Sequence, residues 1–283
     1  MALFVEETGN PGGRPVLFPH GLSQCRLAWD RQLRSGLGRD LRLVAVDLRG
    51  HGLSEKPGDG YGDAALWAAD VGAVITALEL EQPILCGWSY GGVVIGDYLS
   101  RHGEAAVGGI VLVGAVSRLG EPVLPFLGPD FLATLPGMFS ADVEASAAAL
   151  QTFIRLTTSA DPAPEELYLA LGYNVVVPPH VRQALLSRTL THDGLLERLT
   201  TPVLLVHGPT TRSCSHHGRA SRPAHPPRQD VLVPGHRPHS IPGGLRPVQR
   251  RPAGVRIQPV RGAAERAPTV RFRYPTLRTA GRT

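Results

Sequence analysis

Ser89 lies at the centre of Gly87-Trp88-Ser89-Tyr90-Gly91, a G-x-S-x-G pattern. A serine hydroxyl is a poor nucleophile unless a base lies within hydrogen-bond reach. Small residues on both sides allow a tight turn from strand into helix, which lifts the hydroxyl above a sheet edge. The flanking residues fit that context, because "PILC" reads as a strand and "GGVVIGDYL" as a helix. The N-terminus of such a helix faces the charge that develops on a carbonyl oxygen under attack. The pattern therefore predicts acyl chemistry at Ser89.

Other segments must position that serine. "RPVLFPHG", "LRLVAVD", "PILC", "GGIVLVGA" and "TPVLLVHG" are short continuous apolar runs, as expected of strands covered on both faces. Between them Leu66, Trp67, Val71, Val74, Ile75 and Leu78 keep a helical spacing, as do residues 93–99. The alternation predicts an α/β fold with a doubly wound, mostly parallel sheet over residues 1–116, resumed by a core strand at 200–208. Residues 117–199 contain helical patterns opened by Asp or Pro and no strand between them, which predicts an all-helical cap over the carboxyl edge of the sheet. Phe126, Phe131, Phe139, Phe153, Tyr168 and Tyr173 are candidates to line a pocket beneath it or to pack cap against core. Trp88 and Tyr90 carry the same two readings, shaping an acyl pocket or packing.

From Arg14 to Gly208 the chain resembles the α/β-hydrolase superfamily, close to small bacterial esterases and the cofactor-free haloperoxidases or perhydrolases. Three motifs in order carry the resemblance: "PHGLS", "DLRGHGLSEKP" and "GWSYGG". It implies Ser89 as nucleophile and an oxyanion hole from the backbone amides of Leu22 and Tyr90. It gives His20 a role in shaping the oxyanion loop and His51 one in a structural turn, while Asp47 ties down a loop. The serine argues against the haloalkane dehalogenases and epoxide hydrolases, which use an aspartate. The resemblance also implies an acid just after "PVLLVHG" and a histidine in a Gly-His-x-Pro-like turn one strand later. Thr210 and Thr211 stand where the acid is expected, and "VLVPGHRPHSIPGG" offers His236 or His239 as the base. Glu121, after the preceding strand, is an alternative acid. No metal and no organic cofactor is implied.

The charge changes character after Gly208. That tail, 209–283, holds fifteen Arg, no Lys and two acids, Asp230 and Glu265, so it carries about +13 and the remainder about −8. Periodicity is lost there, and an irregular or disordered tail is expected. A GC-rich gene read out of frame produces this composition. One shifted frame permits "PDTGHTPFLED" across Pro234–Leu245, and the other permits Asp-Asp at Pro209–Thr211, so a frameshift accounts for the missing acid. The arginines form no helical stripe and few aromatics accompany them, so no nucleic-acid partner is expected. Cys25, Cys86 and Cys214 form no C-x-x-C pair. No apolar run reaches bilayer length and the first residues lack a basic leader, so a cytoplasmic protein without a membrane partner is expected.

The function expected is hydrolysis, or perhydrolysis, of a small carboxylic ester or lactone through an acyl-enzyme, with a small molecule as partner. Oligomeric state is left open. The alternatives are a pseudo-hydrolase lacking the acid and histidine of its triad, and a basic-tailed binder of nucleic acid or a membrane surface.

Overall fold

The computed structural model describes residues 1–158 and 160–207, together with the backbone of Val270 and Arg271. The chain runs through β1 (Phe4–Gly9), β2 (Arg14–Pro19), the one-turn α1 (Asp30–Leu33), β3 (Leu41–Asp47), α2 (Ala64–Ala77), β4 (Ile84–Trp88), α3 (Tyr90–His102), β5 (Gly109–Val113) and β6 (Arg118–Leu119). It continues through α4 (Pro129–Met138), α5 (Val143–Leu156), α6 (Pro164–Val175), α7 (Pro179–Leu186), β7 (Leu190–Thr191), the one-turn α8 (Asp193–Leu196), β8 (Val203–Val206) and β9 (Val270–Arg271).

Seven strands form one sheet in the order β8-β5-β4-β2-β3-β1-β9. The β2–β3, β2–β4, β4–β5 and β5–β8 pairs are parallel, whereas β1 runs antiparallel to both β3 and β9. The strand that leads into Ser89 is thus flanked by β2, which precedes the Gly21–Cys25 loop, and β5, which precedes the cap. Strand β1 was not evident in the sequence, because Glu6 and Glu7 interrupt its apolar residues. The rest of the 209–283 tail lies outside the described residues.

The two faces of the sheet are covered unequally. Helices α2 and α3 pack on one face through Trp67, Val71, Val74, Val93 and Ile95, all buried. On the other, Phe18, Trp29, Leu33, Leu43 and Cys86 form a smaller cluster, and Trp88, Val111 and Val113 at its margin are only partly buried. Edge strand β8 is barer still, with Val203 to Val206 between 40% and 61% exposed.

The cap contains four helices of eight or more residues, and its stem is a two-residue antiparallel pair, Arg118 with Thr191 and Leu119 with Leu190. Helix α4 was not evident in the sequence, since Pro136 lies inside it. A buried arginine ties the cap together. Arg182, 1% exposed, donates to the carbonyls of Met138, Asn174 and Val177 and to Ser146 Oγ. Those carbonyls end or follow α4 and α6, so the negative ends of two helix dipoles offset the buried cation. Several of the aromatics offered as pocket lining pack within the cap or face outward. Phe131 and Phe153 pack on each other at 5.9 Å between centroids, Phe126 lies under Arg118, and Tyr168 is 67% exposed.

Among the described residues β8 is an apolar edge with one side unpaired, and such an edge recruits other chains. The wild-type chain is expected to give mostly soluble aggregate by size-exclusion chromatography, and Leu205→Lys to raise the monomer fraction severalfold. A monodisperse wild-type peak contradicts this.

Candidate active site

Ser89 occupies a backbone conformation that L-residues rarely adopt, φ 51° and ψ −116°, between the end of β4 and the start of α3. Such a conformation costs about 1–3 kcal/mol and persists only when the surroundings enforce it. Here they do. The Ser89 amide donates to the Val113 carbonyl at 3.1 Å, and the Ser89 carbonyl accepts from Gly92 at 2.9 Å and from Val116 at 3.0 Å. The glycines of the motif are required by contact. A Cβ on Gly87 would lie 2.7 Å from the Gly91 carbonyl carbon, and one on Gly91 would lie 2.5 Å from the Pro19 oxygen.

The loop after β2 meets this elbow. A Cβ on Gly21 would stand 3.2 Å from Ser89 Cβ. Gln24 braces the loop, its Oε1 accepting from the Gly21 amide at 3.2 Å, while Ser23 adopts φ 59°. Ser23 Oγ donates to the carbonyl of Asn174 in α6, so the cap touches the loop directly. Among the described residues no acceptor takes the backbone N–H of Leu22 or of Tyr90. Tyr90 is the first residue of α3, where an unpaired N–H is normal.

Two histidines nearby are committed elsewhere. His20 Nε2 accepts from the Leu48 amide at 3.0 Å and Nδ1 donates to the Gly21 carbonyl at 2.9 Å. Because an amide only donates and a carbonyl only accepts, the ring is the neutral Nδ1–H tautomer with its lone pair occupied. Burial holds its pKa down to about 4. His51 Nδ1 donates to the Arg49 carbonyl at 2.7 Å, its Nε2 has no partner among the described residues, and burial, with the neighbouring His20, lowers its pKa to about 3. Asp47 fastens two loops, accepting from the amides of Arg26 and Leu53 and from the Arg26 guanidinium.

Behind the elbow lies a buried ionic network. Asp97, on α3, has both carboxylate oxygens bonded by Arg188 Nη2, at 2.9 and 2.8 Å. Arg188 Nη1 donates to Tyr90 Oη at 2.9 Å, and His192 Nε2 lies 3.2 Å from Asp97 Oδ1. The guanidinium groups of Arg49 and Arg188 approach the Trp67 ring at 5.5 and 6.0 Å, and Arg49 pairs with Asp70. Burial pushes the Tyr90 phenol up to about 12. Asp97 is eight residues beyond Ser89, about 12 Å along the helix axis, so His192 serves this network and not the serine.

A family model described as the alpha/beta hydrolase fold matches residues 14–240. The chain belongs to the α/β-hydrolase fold family. It is 40% identical over 117 residues to the AB hydrolase superfamily protein YisY of Bacillus subtilis, covering 41% of this chain and 42% of that one. A non-heme haloperoxidase of Rhodococcus erythropolis is 39% identical over 117 residues, with the same coverage. The matched region thus spans about two-fifths of the length of these relatives. The crystal structure of the esterase RhEst1 from Rhodococcus sp. ECU1013 superposes with a TM-score of 0.69 at 42% identity, covering 73% of this chain and 76% of that one. Among the described residues no helix is long and apolar enough to cross a membrane.

In this α/β-hydrolase, the loop that carries Leu22 meets the turn of Ser89 and Tyr90 at Gly21. His236 and His239, and the Thr210–Thr211 position of the expected acid, lie outside the described residues. Glu121 is exposed at the first turn of a 3-10 helix beyond β6. Trp88 packs with the Phe18–Trp29 cluster, and Tyr90 lies between Trp67 and Arg188, so both side chains serve packing. Sequence reasoning missed the Asp97–Arg188 pair. Its one signal was a carboxylate inside the apolar run "VVIGDYL", which demands a buried partner.

The histidines make stability depend on pH. A folded-state pKa held below the unfolded value of about 6.5 means the unfolded chain binds the proton first. Stability is therefore full above that value and falls as pH drops towards 3. His51→Asn keeps a donor for the Arg49 carbonyl and removes the titrating ring. The expected outcome is an acid-limb loss between pH 6.5 and 3.5 smaller than wild type by about 3 kcal/mol, read from urea melts across that range. Parallel acid limbs overturn the assignment.

Proposed function

We propose that this chain is a serine hydrolase of small carboxylic esters, with lactones as cyclic substrates of the same chemistry. The observation that carries the reading is the enforced conformation of Ser89 beside two amides that lack acceptors among the described residues. Ser89 Oγ attacks the acyl carbon while its proton passes to a histidine, His236 or His239. The carbonyl π electrons move onto oxygen, and the Leu22 and Tyr90 amides stabilise that oxyanion. Collapse expels the alcohol, which takes the proton from the histidine and leaves the acyl group on Ser89. Water then attacks with the same histidine as base, releasing the acid and restoring the hydroxyl. Hydrogen peroxide in place of water yields a peracid, a reading supported by the non-heme haloperoxidase among the relatives. Support for the base is that the family match runs to residue 240 and so takes in both histidines.

A second reading has its own observation. Thr210 and Thr211 occupy the expected position of the acid, so a frameshift after Gly208 would leave a pseudo-hydrolase. Removing the triad base from a serine hydrolase costs about a millionfold in kcat.

The test is a fluorophosphonate probe followed by hydrolysis of p-nitrophenyl butyrate. Wild type is expected to be labelled once per chain, with all labelling and turnover lost in Ser89→Ala. Labelling that survives in Ser89→Ala sinks the nucleophile assignment, and an unlabelled wild type favours the pseudo-hydrolase.

A further inference from the structure

We propose that Arg188 is a positioning residue for the oxyanion amide of Tyr90, linking the segment that leaves the cap to the elbow. The inference rests on the reading of that amide as an oxyanion donor. Tyr90 opens α3, and Ser89, in the N-cap position, makes no side-chain capping bond. The Ser89 carbonyl is held by the amides of Gly92 and Val116, but the first turn of α3 lacks the side-chain clamp that a Ser or Asp cap supplies elsewhere.

The clamp comes through the Tyr90 side chain. It is 2% exposed, its ring meets Trp67 edge-on at 5.8 Å, and its hydroxyl receives Arg188 Nη1 at 2.9 Å. The other guanidinium nitrogen holds Asp97, seven residues further along the same helix. One rigid, planar fork thus spans the first turn of α3 and its body, fixing the angle at which the Tyr90 N–H is presented. Arg188 stands two residues before β7, in the return arm of the cap stem. That arm is fastened by Arg118 to Asp193, by Ser117 Oγ to Asp193, and by the His192 amide to the Ser117 carbonyl. A displacement of the return arm therefore reaches the Tyr90 hydroxyl through Arg188.

Stability and positioning are separable by substitution. Tyr90→Phe removes only the hydroxyl and leaves the Arg188–Asp97 pair and the ring contact with Trp67. Arg188→Lys keeps a cation against buried Asp97 but lacks the second nitrogen of the fork. The measurement is the time course of fluorophosphonate labelling over a concentration series, well below the melting temperature of each full-length protein. Each variant is expected to slow the maximal labelling rate about tenfold with half-saturation and pH profile unchanged. That is less than the hundred- to thousandfold loss on deleting an oxyanion donor outright. The double variant is expected to be no slower than Arg188→Lys, because both changes break one contact.

Tyr90→Phe labelling at the wild-type rate overturns the proposal, as do effects that multiply in the double variant. Labelling that persists in Ser89→Ala, or is absent from wild type, overturns instead the hydrolase reading on which it rests.

Discussion

The site depends on one strained peptide unit. Ser89 is held at a positive φ by three backbone hydrogen bonds, two of them to the last residue of β5 and the loop that follows it. Everything nearby is shaped to permit that conformation. Gly87 and Gly91 have no room for a methyl group, and Gly21 lets the neighbouring loop approach Ser89 Cβ. A parallel sheet with β4 between β2 and β5 is what brings these three loops to one edge. The strain of about 1–3 kcal/mol is offset by burial of the strands that impose it.

Polar groups fasten the cap to this centre. The cap is cross-linked internally by Arg182, touches the loop after β2 through Ser23 and Asn174, and reaches α3 through Arg188. Buried charges of this kind add little net stability, since desolvation consumes most of the attraction. They do penalise any arrangement in which a partner is displaced. A cap joined in this way has few alternative seats, which favours a single geometry for whatever lies between it and the elbow.

Much of this was legible in the residues. Apolar runs announced five parallel strands, and G-x-S-x-G between a strand and a helix placed Ser89 correctly, because both signals are local. Strand β1 escaped because its second half is polar, and α4 because a proline sits in its last turn. Arg188 and Asp97 escaped for a different reason. They lie 91 residues apart, and only the return of the cap onto α3 makes them neighbours. The locking of His20 was equally invisible, since it depends on a backbone amide, that of Leu48, supplied by a distant loop.

The strand order also says when the elbow can form. Among the described residues, the groups that hold the backbone of Ser89 or crowd its glycines all lie between Pro19 and Val116. As the chain leaves the ribosome, the serine can therefore reach its strained geometry before the cap exists and long before residue 236 has been translated. The turn that shapes Ser89 and the histidine proposed as its base belong to different stretches of the chain, made at different times. Damage to the later stretch leaves the earlier one intact.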